Sequence, residues 1–316
     1  MSAADVLAVL NDGNPEPETS QAGGKSDGKT PYSMLRVEAT LWPQIRELIE
    51  DNIRNAPRER QRAIGPSELG TDCVHCLAAK LAGWHRRCGT AWLPFIGTCV
   101  HEHFERMFAG LNPQGFDPDV KHRPYETEMR VTVGELHGLE GGYPVRGSID
   151  LYDRTSASTV DWKIVGPTTL KGVKAHGPSQ TYMVQASLYG IGLVNAGEQV
   201  ERNCIFFLPR NGISLNDAMP VELRFSAKPG LWALARAQML VTFMDLIEQQ
   251  DGPDVRDAWI HLLPVSDTHC FDCGSWADDA ANAIPELAKP ATPEVPERWR
   301  RLIPLLEPTM REVPDM

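Results

Sequence analysis

The chain has 316 residues, 42% of them hydrophobic and 23% charged, with 31 Lys and Arg against 42 Asp and Glu for a net charge of −11. That is enough apolar material for the core of one large domain or two small ones. No apolar run approaches the roughly 18 residues of a membrane-spanning helix, and the first ten residues lack the basic and apolar regions of a secretory leader, so the expectation is a cytoplasmic protein with no membrane partner.

In chain order, residues 1–32 are rich in Gly, Pro, Ser, Asp and Lys and read as a disordered leader. Ser33 to Asn55 is helical in period, with Pro43 breaking or starting one of two helices. Pro66-Ser67-Glu68-Leu69 reads as a helix start, and Cys76 to Trp84 as a short helix. Thr98 is placed to cap a helix running to about Phe108, which puts His101, Glu102 and Glu105 in its first turns. Glu128 to Glu135 alternates as a strand. A hairpin follows, with arms Tyr143 to Tyr152 and Thr159 to Val165 around a turn at Asp153 to Ser158. Ser179 caps a helix through about Val194, and Asn203 to Pro209 and Val221 to Ser226 read as strands joined through Asn211-Gly212. Leu231 to Gln249 is a long amphipathic helix. Residues 285–316 form a Pro- and Glu-rich tail with a short helix near Glu297 to Leu306. This order predicts an α/β fold, a mixed central sheet flanked by helices, with one catalytic domain over residues 33–284.

The hairpin carries the chemistry. Side chains alternate along a strand, so Asp161 and Lys163 share a face, and Asp150 on the neighbouring arm can reach it. Two carboxylates there can hold a hard divalent cation, and an adjacent ammonium can orient water or offset phosphate charge. Asp161 lies among Val160, Trp162, Ile164 and Val165, where a carboxylate needs a partner. Asp153 opens the turn and is given no role.

Four motifs fall in order around this hairpin: Gly97 to His101, Gly147 to Asp150, Asp161 to Lys163, and Gln185 to Tyr189. In spacing and order they resemble the RecB-like branch of the PD-(D/E)XK nucleases, over about residues 64 to 275. The CRISPR-associated exonucleases and their phage-encoded relatives belong to this branch. The resemblance implies a restriction-endonuclease-like core. It implies His101, Asp150, Asp161 and the Trp162 carbonyl as ligands of Mg²⁺ or Mn²⁺, with Lys163 positioning the attacking water. Gln185 and Tyr189 would brace the site or contact the DNA backbone. Trp162 departs from the Tyr that is common at its position in the branch.

Seven cysteines in such a chain are not read as a disulfide framework. Cys73 and Cys76, with Cys270 and Cys273, form two CxxC pairs able to supply four thiolates to one centre. Four thiolates suit zinc and a [4Fe–4S] cluster alike. RecB-like nucleases that pin the ends of their domain with a cluster turn the preference to iron–sulfur, although their usual arrangement is one cysteine plus three. Either centre would staple segments almost 200 residues apart. Cys99 and Cys204 read as core, and Cys88 as a competitor for a ligand place.

Net negative charge argues weakly against a nucleic-acid partner. Its distribution softens this: from Asp245 onward the balance is −9, leaving about −2 for the rest, and Arg54 to Arg87 is locally +4. Lys171, Lys174 and His176 follow the candidate site, with Trp162 or Tyr182 available for stacking on single-stranded ends. The expected function is a metal-dependent DNA exonuclease acting in recombination, repair or replication, with recombination proteins as possible partners, in the host cytoplasm if phage-encoded. The alternatives are a DNA-end-binding module that keeps the fold without cleaving, and a zinc-stapled interaction protein.

Overall fold

The computed structural model describes residues 41–55, 63–87, 91–113, 123–267, 270–279 and 292–311. The leader, Cys88 and residues 280–291 lie outside them. The chain divides into two compact units, Met1–Leu48 and Ile49–Met316. Of the first, only the opening of helix α1 (Leu41–Arg54) is described, with Pro43 in its first turn, where a missing N–H costs nothing.

The second unit is built on one five-stranded sheet, in the order β1 (Tyr125–Gly138), β2 (Gly141–Asp153), β3 (Ser158–Val165), β4 (Arg202–Pro209) and β5 (Met219–Arg224). Neighbours are antiparallel except β3 and β4, which run parallel. A parallel pair needs a crossover. Here it consists of α5 (Pro167–His176) and α6 (Gln180–Asn195). Before the sheet come α2 (Pro66–Leu69), α3 (Val74–Leu81) and α4 (Trp92–Leu111); after it come α7 (Lys228–Asp251), α8 (Pro253–His261) and the short α9 (Glu297–Arg300). The protein is therefore a mixed sheet flanked by helices, consistent in general terms with a restriction-endonuclease-like fold.

Alternation on β1 and β2 sends Val131, Val133, Val145 and Ile149 inward, against Leu188 and Leu193 of α6 and Ala237 and Leu240 of α7. Leu151, Val160, Trp162 and Cys204 form a separate cluster with Phe104 and Phe108 of α4. The β1–β2 turn is two residues long and closes at Gly141, whose φ of 131° suits a glycine. At the β2–β3 turn the Asp153 carboxylate accepts from the Thr155 amide and the Ser156 hydroxyl.

Several boundaries differ from the sequence expectation for identifiable reasons. Helix α4 begins six residues before Thr98, which sits mid-helix and donates its hydroxyl to the Pro94 carbonyl at 3.2 Å. Helices α5 and α8 were not anticipated, because each is short and opens on a Gly-Pro pair that reads as a loop. Residues 292–311, within the expected Pro- and Glu-rich tail, place Val295, Trp299 and Leu306 in the main core. Helix α7 is also long and apolar enough, by length and composition, to cross a membrane, contrary to the expectation of no such run. In this fold its Ala233, Ala237, Leu240 and Ile247 are fully buried against the core.

Arg236 of α7 is almost fully buried. Its guanidinium donates to the carbonyls of Leu69, Thr71, Glu307 and Pro308, at 2.7 to 3.2 Å. It thereby ties the end of α2 to the C-terminal segment. Burial lowers its pKa to about 10.

Candidate active site and thiolate centre

The site forms where β2 and β3 part. Their pairing runs through Leu151↔Val160 and stops. Just beyond, the Trp162 amide donates to Asp150 Oδ2 at 2.8 Å, a side-chain acceptor in place of a ladder partner. On the other side of the residue, His101 Nε2 of α4 lies 2.9 Å from the Trp162 carbonyl oxygen. His101 Nδ1 is in turn 3.3 Å from Asp150 Oδ1. Of the four expected cation ligands, His101 therefore touches two, Asp150 and the Trp162 carbonyl.

Glu128, which opens the strand expected over Glu128 to Glu135, joins them. Its φ is 46°, in the left-handed region that costs a side-chain-bearing residue about 1 kcal/mol or more. The β1–β2 register runs without a shift from Thr127↔Leu151 to Met129↔Ile149, with Glu128 between them. Its carboxylate accepts from Ser148 Oγ at 2.6 Å. One ligand atom each from His101, Glu128 and Asp150 lies within 4.8 Å of the others. Burial raises the Glu128 pKa, and the charges of Asp150 and Glu105 add to the rise against the Ser148 hydrogen bond.

This arrangement has a proton problem. A neutral imidazole donates from one nitrogen only. If Nε2 donates to the Trp162 carbonyl, Nδ1 presents a lone pair to Asp150; in the other tautomer Nε2 faces the carbonyl with a lone pair. Either way acceptors face acceptors, beside a second carboxylate. A second proton on the imidazole or a divalent cation resolves that conflict, and imidazole with carboxylates and a carbonyl is a donor set suited to Mn²⁺ or Mg²⁺.

Asp161, expected as a further ligand, stands outside that group. It is 4% exposed on β3, and its Oδ2 lies 2.7 Å from Lys163 Nζ. Gln185 of α6 donates Nε2 to Asp161 Oδ1 at 3.3 Å and accepts from Lys163 Nζ at 2.9 Å. Gln185 Nε2 also lies 2.9 Å from the Tyr189 hydroxyl. Gln185 and Tyr189, both buried, thus meet the Asp161–Lys163 pair from one helix face. Burial raises the Asp161 pKa to about 6, against the attraction of Lys163 and with the repulsion of Asp150. Gly147 of β2 explains its residue type here: a Cβ would meet Pro66 at 2.7 Å and the Tyr189 ring at 2.9 Å. At Gly97 a Cβ would meet nothing within 4 Å.

The Trp162 ring is not available for stacking on a base. It is 8% exposed and packs on Phe104, Phe108 and Phe206, with centroids 5.0 to 5.8 Å away. Tyr182 is half-buried, its ring 5.3 Å from Lys163 Nζ. Lys171, Lys174 and His176 are exposed on α5, and Lys174 donates to the Asp217 carbonyl at 3.2 Å.

The cysteine pairs meet at a second centre. Cys73 caps the N-terminus of α3 and Cys76 lies in its first turn; Cys270 and Cys273 lie beyond α8. Sulfur separations are 3.5 Å for Cys73–Cys273, 3.5 Å for Cys76–Cys273 and 3.6 Å for Cys76–Cys270. His75, also buried, brings Nδ1 to 3.8 Å from Cys76 Sγ and 3.7 Å from Cys273 Sγ. One ligand atom each from Cys73, His75, Cys76 and Cys273 lies within 4.8 Å of the others, so the cluster can chelate a metal. Crowding splits the thiols: a hydrogen bond from Cys76 lowers the Cys73 pKa to about 3, while Cys76 is raised by the same pairing and Cys273 is raised to about 12, chiefly by burial.

These separations bear on which centre the cysteines fit. Thiolates bonded at about 2.3 Å to one tetrahedral ion lie about 3.8 Å from each other. In a [4Fe–4S] cubane each cysteine takes its own iron, at the corners of a body that already holds four irons and four sulfides. Sulfurs that almost touch one another leave no room for that body. The expected preference for iron–sulfur does not fit this geometry.

No protein-family model matches the chain, and no curated protein is similar to it at a significant level. Among solved structures it is similar to SSO0001, at 15% identity and TM-score 0.37, over 66% of this chain and 86% of that one. It is also similar to a protein of Eubacterium rectale, named provisionally as an exonuclease, at 16% identity and TM-score 0.38, over 76% and 94%. Neither likeness assigns an activity, and the function is argued from the site itself.

Proposed function

We propose that the protein is a metal-dependent nuclease of the RecB-like PD-(D/E)XK type, acting as an exonuclease on DNA ends in recombination, repair or replication. The observation that carries the proposal is the convergence of His101, Glu128, Asp150 and the Trp162 carbonyl, with Lys163 held on the same hairpin. A Mg²⁺ or Mn²⁺ ion held by the first group would supply Lewis-acid polarisation of a phosphate oxygen and of water. The chain's own residues do the rest. Asp161 and Gln185 each take one hydrogen bond from the Lys163 ammonium, fixing its position. Its third N–H serves the attacking water and the charge that develops on phosphate. Tyr189 fixes Gln185, and so acts on Lys163 at one remove.

Lys171, Lys174 and His176, exposed on the helix directly after β3, supply a basic surface for the phosphate backbone. Tyr182 is the aromatic left to stack on a base, beside Lys163.

The test is digestion of end-labelled linear DNA with Mn²⁺, alongside the same DNA with blocked ends and a closed circle. Wild type is expected to shorten only the open linear substrate. Asp150→Asn and Lys163→Met are expected to lose at least a hundredfold in rate. Cleavage of the circle would replace the exonuclease assignment with an endonuclease. Equal rates in all three proteins would remove the catalytic assignment altogether.

A further inference from the structure

The thiolate centre stands apart from the hairpin site, and what it holds does not depend on the nuclease reading. Two segments meet there. The Arg87 amide donates to the Ser275 carbonyl at 2.8 Å, the Ala277 amide to the His85 carbonyl at 2.8 Å, and Arg86 and Trp276 form a β-bridge between them. Cys73 and Cys76 enter from the first segment, and Cys270 and Cys273 from the second. The backbone therefore already holds the two CxxC loops face to face, with Cys73, Cys76 and Cys273 at single-ion spacing and Cys270 3.6 Å from Cys76.

We infer that this centre binds one tetrahedral zinc ion, with Cys73, Cys76, Cys270 and Cys273 as ligands, and holds no iron–sulfur cluster. Contact-range sulfurs are one ground. The surrounding donors are a second. The Trp276 indole N–H lies 3.3 Å from Cys76 Sγ, and His75 Nδ1 reaches both Cys76 and Cys273. The indole N–H aimed at sulfur suits the excess negative charge of four thiolates on one divalent ion.

His75 is itself fixed from outside. Its Nε2 lies 2.9 Å from Asp279 Oδ2, and Asp279 Oδ1 lies 3.1 Å from His261 Nδ1. Asp279 is buried like His75. Such a carboxylate–imidazole pair orients the groups around a metal. His75 is thus a positioning residue for the thiolates, held by Asp279 and His261. Zinc does not change oxidation state, so the centre is a staple with no electron-transfer role.

The experiment uses the full chain, purified without oxygen and without added metal. Elemental analysis is expected to give about one zinc per chain with iron at trace level, and a colourless solution. X-ray absorption at the zinc edge is expected to show a shell of four sulfurs. Iron with acid-labile sulfide and brown absorption near ~400 nm would overturn the inference, as would a chain with neither metal. A shell of three sulfurs and one nitrogen would overturn the ligand set by putting His75 in place of Cys270. His75→Ala is expected to keep the four-sulfur shell but to lose zinc to a chelator with roughly 10- to 100-fold lower affinity. Unchanged affinity would remove His75 from the centre.

Discussion

At the scale of single residues the site divides into a cation-facing group and an ammonium-holding group, and the sequence disclosed them unequally. Asp150 and Lys163 could be read from strand alternation and the Gly-x-x-Asp and Asp-x-Lys spacings, because those patterns fix which face a side chain takes. Glu128 could not. Its position in the site follows from a left-handed backbone within a strand, and nothing in the residue letters announces that conformation. Asp161 was placed on the correct hairpin face, yet which neighbour it meets depends on α6, which comes 19 residues later. Its raised pKa has a measurable consequence. A carboxyl with a folded pKa of about 6 holds its proton more tightly folded than unfolded, so its contribution to stability is complete below pH 4 and lost as pH rises through about 6. Without divalent metal, the stability of wild type relative to Asp161→Asn should therefore fall by up to about 3 kcal/mol between pH 4 and pH 7. Urea unfolding of both proteins across that range checks it. A pH-independent difference would mean that Asp161 ionises normally.

Among elements, the hairpin and α6 were legible because each carries an apolar run bounded by turn residues, Asp153 to Ser158 and Gly177 to Ser179. The start of α4 was misplaced because Thr98 looks like a cap, whereas the chain satisfies its hydroxyl inside the helix. Two glycines that share a motif series now separate. Gly147 lies under Pro66 and Tyr189, so Gly147→Ala must push the Tyr189 ring away from Gln185. It is expected to cost about 1–3 kcal/mol of stability and to lower the cleavage rate through Lys163. Gly97→Ala, in open space within a helix, is expected to raise stability by about 0.5–1 kcal/mol. Thermal unfolding and the DNA digestion rate, measured on both variants, decide between these roles. A Gly97→Ala protein that is stable but inactive would mean that DNA passes against α4 at that point.

For the whole molecule, the features that hold distant segments together were the least legible. An arginine in an apolar helix reads as a surface residue, and only the assembled fold shows Arg236 serving four carbonyls from two segments. Arg236→Met would remove all four bonds, leaving the buried Leu69 carbonyl without the guanidinium while Pro308 keeps its bond from Gln180, at a cost of about 3 kcal/mol or more in urea unfolding. A change under about 0.5 kcal/mol would mean that water replaces the guanidinium without penalty. The cysteine pairs were legible as a metal-binding set, since two CxxC spacings are hard to explain otherwise; the ion they take depends on sulfur separations that spacing does not encode. The central claim concerns the other centre, and one titration addresses it directly: Mn²⁺ binding to wild type, Asp150→Asn, Glu128→Gln and Lys163→Met, followed by electron paramagnetic resonance, with DNA cleavage scored on the same samples. Tight Mn²⁺ binding should be lost in Asp150→Asn and weakened at least tenfold in Glu128→Gln, while Lys163→Met should bind the ion and fail to cut. Equal Mn²⁺ binding by all four proteins would contradict the account.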